Sequence, residues 1–141
     1  MKIQLLSDTH LDQHPFNSRH IEISKEADVV VLAGDISSSL QIFRRFLLDI
    51  RKQTDSPIIS VLGNHDFYEK DLDASYTRYR KEVENIPDVH ILDNDKVPIK
   101  EKGFRRTVNF SGCTLWSDFE YGARFEEISE VFFDCKKYGT G

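Results

Sequence analysis

Three short apolar runs mark the first half of the chain. They occupy residues 2–6 (KIQLL), 28–33 (DVVVLA) and 57–62 (PIISVL), and each run ends at a polar or glycine-containing turn. Two of the three are rich in β-branched residues. Short continuous apolar runs of this kind are typical of strands that are buried on both faces of a parallel sheet. The pattern therefore predicts three such strands.

A helical period separates the second and third runs. Leu40, Phe43, Leu47 and Ile50 recur at helical spacing, and the serines at 37–39 are candidate N-caps. Strand, helix and strand in this order predict a right-handed βαβ unit whose two strands are parallel.

The second half of the chain has a different pattern. A helix is predicted over about 71–85, ahead of Pro87. Its inward face is marked by Leu72, Tyr76, Tyr79 and Val83. Four short candidate strands follow, namely VHIL (89–92), VPIK (97–100), RTVNF (106–110) and CTLW (113–116). The tail at 124–141 predicts a short amphipathic helix, and residues 1–141 together predict one α/β domain.

Polar groups follow each of the three apolar runs. The first run ends in SDTHLD, the second in GDIS and the third in GNHD. The carboxyl ends of parallel strands lie along one edge of a sheet, where open α/β folds place their ligand sites. The sequence therefore predicts that six residues converge there: Asp8, His10, Asp35, Asn64, His65 and Asp66.

The residue types at this edge favour a divalent metal. Asp8 and His10 are two apart, so in extended backbone both would project to the same side. Asp35 adds a second carboxylate, and a bound cation would remove the repulsion between the two. Asn64 offers a neutral oxygen ligand. Oxygen and nitrogen donors without a thiolate indicate Mn, Fe, Zn or similar ions.

Two glycines and a His-Asp pair in the same motifs predict catalysis in addition to metal binding. Gly34 and Gly63 allow tight turns and a close approach of the backbone to a ligand. His65 and Asp66 are predicted to act as a catalytic pair, because an imidazole held by a carboxylate can donate a proton to a leaving alkoxide.

Composition narrows the class of protein. The 141 residues carry a net charge of -5, which argues against bulk binding to nucleic acid. Only four residues, 3–6, lie between Lys2 and polar Ser7, too few for a secretory or membrane segment. The two cysteines lack metal-site spacing, which is typical of reduced thiols in a cytoplasmic protein.

The motifs DTH, GD and GNHD, in this order and after strands, resemble those of the calcineurin-like metallophosphoesterases. CTLWSDF further along is similar to a segment common in bacterial and phage members. The resemblance implies the amino-terminal part of an α/β/β/α sandwich with a two-metal centre. It also implies hydrolysis of a phosphomonoester or phosphodiester by a metal-activated hydroxide. The implied roles are Asp8 and His10 on the first metal, Asp35 bridging, Asn64 on the second, and His65 as proton donor with Asp66 behind it.

The chain departs from the family pattern after GNHD. Family members continue with a lone histidine and a GHxH motif, whereas none of the five histidines here follows His90. We therefore expect a domain truncated before these motifs, with weakly bound metal and an apolar face or sheet edge left uncovered. A homo-oligomer, or a complementing chain that carries the missing histidines, is the expected partner, besides a phosphate-ester substrate.

Two function classes stay open on this evidence. The first is a metal-dependent phosphoesterase, with a nuclease as a variant that the acidic charge does not favour. The second is a catalytically weak or silent member of the fold that acts as a binding or regulatory module. A truncated product, one piece of a split enzyme and reuse of the fold without catalysis would each account for the absent motif.

Overall fold

The structure is a computed structural model that describes residues 1–13, 21–67 and 72–115. Its elements in chain order are β1 (Ile3–Leu6), β2 (Val29–Ala33), α1 (Leu40–Arg51), β3 (Ile58–Val61), a 3-10 turn (Asn64–Phe67), α2 (Leu72–Val83), β4 (Val89–Ile91), β5 (Asp95–Lys100) and β6 (Thr107–Gly112). Within these ranges, no helix has the length and apolar character needed to cross a membrane.

The first four strands form one parallel sheet in the order β1-β2-β3-β4. Val30 pairs with Ile58 across β2 and β3, and α1 connects these two strands. The predicted βαβ unit is therefore confirmed. The VHIL segment adds the fourth parallel strand, since Ile58 also pairs with Val89.

Helix α1 begins and packs as its sequence predicts. Ser39 is the N-cap, and its hydroxyl accepts a hydrogen bond from the Ile42 backbone N–H at 3.5 Å. Capping of this kind satisfies one of the backbone donors that a helix leaves unpaired at its start. Phe43, Leu47 and Ile50 are fully buried against the sheet.

Helix α2 completes the cover on this face of the sheet. Tyr76, Tyr79 and Val83 are buried, as the helical period predicts. The rings of Phe43 on α1 and Tyr79 on α2 meet edge to face, with centroids 5.0 Å apart. The two helices therefore share one core with the inward side chains of β2 and β3.

A hairpin covers the opposite face of the sheet. Strands β5 and β6 pair antiparallel, which confirms the predicted strands VPIK and RTVNF. Ile99 joins Val29, Ile59 and Leu92 in a second, smaller core. At Gly112 the hairpin approaches β3 so closely that an added Cβ would lie 2.7 Å from Val61 Cγ1. Helices, parallel sheet and hairpin are the layers expected for the amino-terminal part of the sandwich.

Two expectations were wrong. Strand β1 is not buried on both faces, since Ile3 and Leu5 are 53% and 62% exposed. The reason is that β1 lies at the sheet edge, and the apolar cluster under the hairpin centres on β2 and β3. Residues 113–115 of the predicted CTLW strand are not in a strand, and Leu115 is exposed. The predicted helix at 124–141 lies outside the described residues.

Candidate metal centre

The loops after β1 and β2 are joined by backbone hydrogen bonds. The Asp8 N–H donates to the Gly34 carbonyl at 3.2 Å, and the His10 N–H donates to the Asp35 carbonyl at 3.0 Å. The Leu11 N–H continues the series to the Ile36 carbonyl at 2.9 Å. The carboxyl edge of the sheet therefore holds the first two motifs side by side, as the strand order predicts.

Asp66 joins the loops after β2 and β3. Its carboxylate is fully buried and accepts backbone N–H bonds from Gly63 at 2.9 Å, Asp35 at 3.1 Å and Ser37 at 3.2 Å. Three donors on one carboxylate hold both loops at a fixed separation. Asp66 thus positions the segment that carries Asp35, and its role as a partner of His65 in proton transfer stays a prediction.

The environment of Asp66 also changes its ionisation. Burial raises the pKa of this carboxyl to about 7, the backbone N–H of Gly63 opposes that shift, and the negative charge of Asp35 adds to it. Asp66 therefore takes up a proton at a higher pH than an ordinary carboxyl group does, next to the loop that carries Asp35.

Glycine is required where the second and third loops meet. Gly34 has a φ of +86°, and a Cβ there would lie 2.9 Å from the Gly63 Cα. A Cβ on Gly63 would lie 2.1 Å from the Asp35 carboxylate oxygen Oδ1. Neither position has room for a side chain, because the two loops lie against each other; the close approach of these glycines to a ligand stays a prediction.

The backbone at three predicted site residues is strained. Asp8, His10 and Asp35 have φ values of 53°, 42° and 54°, in the left-handed region that non-glycine residues rarely adopt. The extended backbone expected for Asp8 and His10 is therefore wrong. Such conformations persist only where the surroundings impose them, and they cluster at functional sites. Here the hydrogen bonds between the loops impose them.

His10, Asp35 and His65 form a group with metal-ligand spacing. Each offers one ligand atom, and these atoms lie within 4.8 Å of one another. The two imidazole rings meet edge to face, with centroids 4.7 Å apart and an interplanar angle of 76°. The His65 backbone N–H donates to Asp35 Oδ1 at 2.9 Å. Two imidazoles and one carboxylate, all partly or fully shielded from solvent, are a donor set that suits a divalent transition ion.

Asp8 and Asn64, the other two predicted ligands, come from the loops after β1 and β3. Asp8 is exposed, and its carboxylate accepts a hydrogen bond from the Ser7 hydroxyl. Asn64 is the first residue of the 3-10 turn and directly precedes His65. His90, which the sequence did not predict as a ligand, contacts Asp88 at 2.9 Å on β4 and is not a member of the group of three.

The hydroxyl groups of two α2 tyrosines connect this helix to the loops of the site. Their helical spacing predicted that the side chains are buried, but not these hydrogen bonds. The Tyr79 hydroxyl donates to the Ser37 carbonyl at 2.6 Å, next to the loop that carries Asp35. The Tyr76 hydroxyl lies 2.7 Å from the Thr114 hydroxyl, which in turn donates to the Leu62 carbonyl. A buried tyrosine needs a partner for its hydroxyl, and this requirement was the signal available in the sequence.

Known proteins share the sequence pattern and the fold of this chain. The sequence model of the calcineurin-like phosphoesterases matches residues 1–134. The crystal structure of the phosphopantetheinyl hydrolase (PptH) from Mycobacterium tuberculosis shares the fold, with a TM-score of 0.63 and 18% sequence identity over 94% of this chain. The ankyrin repeat domain-containing protein OPG023 of Monkeypox virus is 29% identical over 112 residues, or 79% of this chain. The chain spans 53% of the mycobacterial protein and 15% of the viral one.

Proposed function

This chain belongs to the calcineurin-like phosphoesterase family, and on that premise we propose that it hydrolyses a phosphate ester with divalent metal held at the carboxyl edge of its parallel sheet. The observation that carries the proposal is the convergence of His10, Asp35 and His65 within 4.8 Å. These residues come from three different loops, so the ligand spacing is a property of the folded chain and not of one motif.

The donor set defines what a bound metal would do here. A divalent ion at this edge would supply Lewis-acid activation of water and of the phosphoryl oxygen. Asp35 supplies a negative charge against the cation, and His10 supplies a nitrogen ligand. Asp66 and the glycines keep Asp35 in place, so little reorganisation is needed when metal and ester bind.

The finer assignment that the resemblance implies is part of the proposal. A second ion would be shared through Asp35 and would take Asn64 as a ligand, with Asp8 completing the first site. Manganese is the ion we would test first, because it accepts mixed oxygen and nitrogen ligands. The substrate class is a phosphomonoester or phosphodiester. The cytoplasm, as the compartment, stays a prediction from the cysteine pattern.

The proposal is tested by hydrolysis of one chromogenic phosphomonoester and one phosphodiester with added Mn²⁺. We expect Asp35→Asn to lower the rate at least about 100-fold, because it removes the charge that holds the cation. Asp49→Asn is the matched control, since Asp49 lies on α1 and pairs with Lys52. Equal activity of Asp35→Asn and wild type would reject the mechanism.

The alternative is a binding or regulatory module without catalysis. Calorimetry that detects no divalent-metal binding at millimolar concentration would favour this alternative. A complementing chain that brings further histidines, or a second copy of this chain, is the partner that we propose in either case. Hydrolysis that appears only on mixing with such a chain would identify it.

A further inference from the structure

We infer that the tip of the β5–β6 hairpin, residues 100–106, is a docking surface for a membrane that contains anionic lipid. The contact is peripheral, because the tip would lie among the lipid headgroups without crossing the bilayer. This interaction is separate from the proposed hydrolysis, so either can fail without the other. Three features of the tip point to it, namely its charge, an exposed aromatic ring and its convex shape.

The tip is cationic although the chain is acidic. Residues 100–106 carry four cationic side chains and one carboxylate, whereas the whole chain has a net charge of -5. Three of the cations, Lys100, Lys102 and Arg105, are exposed and form no ion pair among the described residues. Each such cation close to an anionic lipid surface gives roughly a fivefold gain in affinity.

An aromatic side chain lies among these cations. Phe104 is 66% exposed, and the Arg106 guanidinium lies 5.6 Å from the centre of its ring. Arg106 is itself held by Glu101, which accepts hydrogen bonds from its Nε and, at 3.1 Å, from its Nη2. A fixed cation therefore holds the ring at the surface. Water is an unfavourable environment for an exposed ring, whereas a membrane interface accepts Phe next to Lys and Arg.

The tip projects from the rest of the protein on a closed turn. The Glu101 carbonyl accepts the Phe104 N–H at 3.2 Å, and the Glu101 N–H donates to the Arg106 carbonyl at 3.1 Å. Within the described ranges, no atom lies within 4 Å of a Cβ added at Gly103. Proteins that bind single-stranded nucleic acid combine a positively charged groove with several aromatic side chains for successive bases. One ring on a convex tip therefore favours a flat membrane surface over a nucleic-acid strand.

Docking through the tip would leave the candidate metal centre facing the aqueous phase. Glu101 also accepts a hydrogen bond from the amino group of Met1, so the tip lies at the end of the sheet where β1 begins. Asp35 and His65 follow β2 and β3 at the opposite, carboxyl edge of the sheet. A docked chain would therefore keep its site open to a substrate that arrives from solution.

Vesicle flotation tests the charge of the docking surface. Wild type should bind vesicles of equal parts phosphatidylcholine and phosphatidylglycerol but not pure phosphatidylcholine, and should lose most of this binding between about 0.05 and 0.5 M NaCl. Lys102→Gln with Arg105→Gln should weaken binding at least about 10-fold, because two cations are lost. Arg78→Gln with Lys81→Gln is the matched control, since it removes the same charge from exposed positions on α2. The control should bind within about twofold of wild type.

Phe104→Ala tests the ring and should weaken vesicle binding at least about fivefold, because the apolar surface that enters the interface is lost. Leu48→Ala is the matched control, since it shortens an exposed apolar side chain on α1 and should bind as wild type does. Circular dichroism checks that each variant is folded. Equal vesicle binding by wild type and by both tip variants would overturn the inference.

Fluorescence gives an independent measurement. The chain has one tryptophan, Trp116, so Phe104→Trp combined with Trp116→Phe places a single reporter at the tip. Its emission should move to shorter wavelength with the anionic vesicles and stay unchanged with pure phosphatidylcholine. No shift with either vesicle, or binding to a single-stranded oligonucleotide without binding to vesicles, would overturn the inference. If the tip docks but no phosphate ester is hydrolysed, the inference holds and the proposed function fails.

Discussion

The two faces of the parallel sheet are covered to different extents. On one face α1 and α2 bury a continuous core that includes Phe43, Leu47 and Tyr79. On the other face the β5–β6 hairpin covers β2 and β3, while Ile3 and Leu5 of β1 are more than half exposed. The helix-covered face is therefore the better packed of the two. Its integrity should dominate the stability of the chain.

The candidate site is anchored to the helix-covered face. Tyr79 on α2 donates to the Ser37 carbonyl, and Ser37 in turn donates its N–H to Asp66. Phe67, at the end of the 3-10 turn that carries His65, packs against Tyr76 with ring centroids 5.5 Å apart. The positions of the candidate ligands therefore depend on α2. Substitutions in the helix-covered core should disturb the site more than substitutions on the hairpin face.

The largest effect is expected from Phe43→Ala on the helix-covered face. Phe43 is fully buried and meets Tyr79, so the substitution leaves a cavity that should cost about 3–5 kcal/mol of unfolding free energy. Urea unfolding measures the loss. Ile3→Ala on the hairpin side is the comparison and should cost under about 1 kcal/mol, since Ile3 is half exposed. Similar losses of unfolding free energy in both variants would contradict the conclusion that the helix-covered face is the better packed of the two.

Asp66→Asn tests whether the site loops share the rigidity of the helix-covered face. The amide oxygen can replace one carboxylate oxygen toward Gly63 and Asp35, but the amide group then presents a donor to the Ser37 N–H. We expect a loss of roughly 1–3 kcal/mol in urea unfolding, the cost of one buried donor left unpaired. Asp49→Asn, on the solvent side of α1, should change stability far less. If the two variants are equally stable, the carboxylate does not hold the loops together.

The hairpin face depends on a charged contact. Glu101 in the hairpin accepts hydrogen bonds from Arg106 and from the amino terminus of Met1, and the Arg106 contact leads in lowering the pKa of this carboxyl to about 2. Because the folded pKa lies below the ordinary value of 4.5, the contact stabilises the fold above about pH 4.5 and is lost as pH falls toward 2.

Glu101→Gln measures the size of that contribution. Unfolding experiments across this pH range should show a shallower decline in stability for Glu101→Gln than for wild type. Arg106 is largely exposed, so solvent and salt screen the interaction and the difference should be small. Identical pH profiles in the two proteins would show that this ion pair does not stabilise the hairpin.

The smallest effect on stability is expected from Leu5→Lys on the uncovered part of the hairpin face. Leu5 is 62% exposed, so its replacement should change the unfolding free energy by roughly 0.5 kcal/mol or less. The same change should shift the protein toward monomer in light scattering if this face mediates the expected self-association. A monodisperse wild-type monomer would contradict that expectation.

Local pattern was sufficient for most of the secondary structure. The apolar runs and the helical spacing depend on nearest neighbours in the chain, so β2, α1, β3 and α2 could be predicted from them. The exposure of Ile3 and Leu5 on β1 could not be predicted, because it depends on which strands of the sheet the β5–β6 hairpin covers. Residues 113–115 failed as a strand for a similar reason, since Thr114 turns toward Leu62 and Tyr76 instead of pairing in a ladder.

The candidate site, like the secondary structure, could be predicted from the sequence only in part. That Asp8, His10, Asp35, Asn64, His65 and Asp66 belong to one edge followed from the strand-end positions. Which of their side chains lie within 4.8 Å of one another did not follow, because it depends on side-chain direction. Asp8 and His10 each have a left-handed backbone conformation, which no spacing rule anticipates. The backbone donors of Asp35 and Ser37 to Asp66 were equally invisible, since they lie 31 and 29 residues away in the chain.

The sequence by itself determined the strands β1 to β6, the helices α1 and α2, the order of the three motifs and the donor types at the carboxyl edge. These features arise from the period and identity of residues that are close in the chain. Only the tertiary structure decided that His65 lies with His10 and Asp35, that Asp66 positions the loops, and that β1 is uncovered on one face. Those outcomes depend on backbone conformations that long-range hydrogen bonds and packing impose.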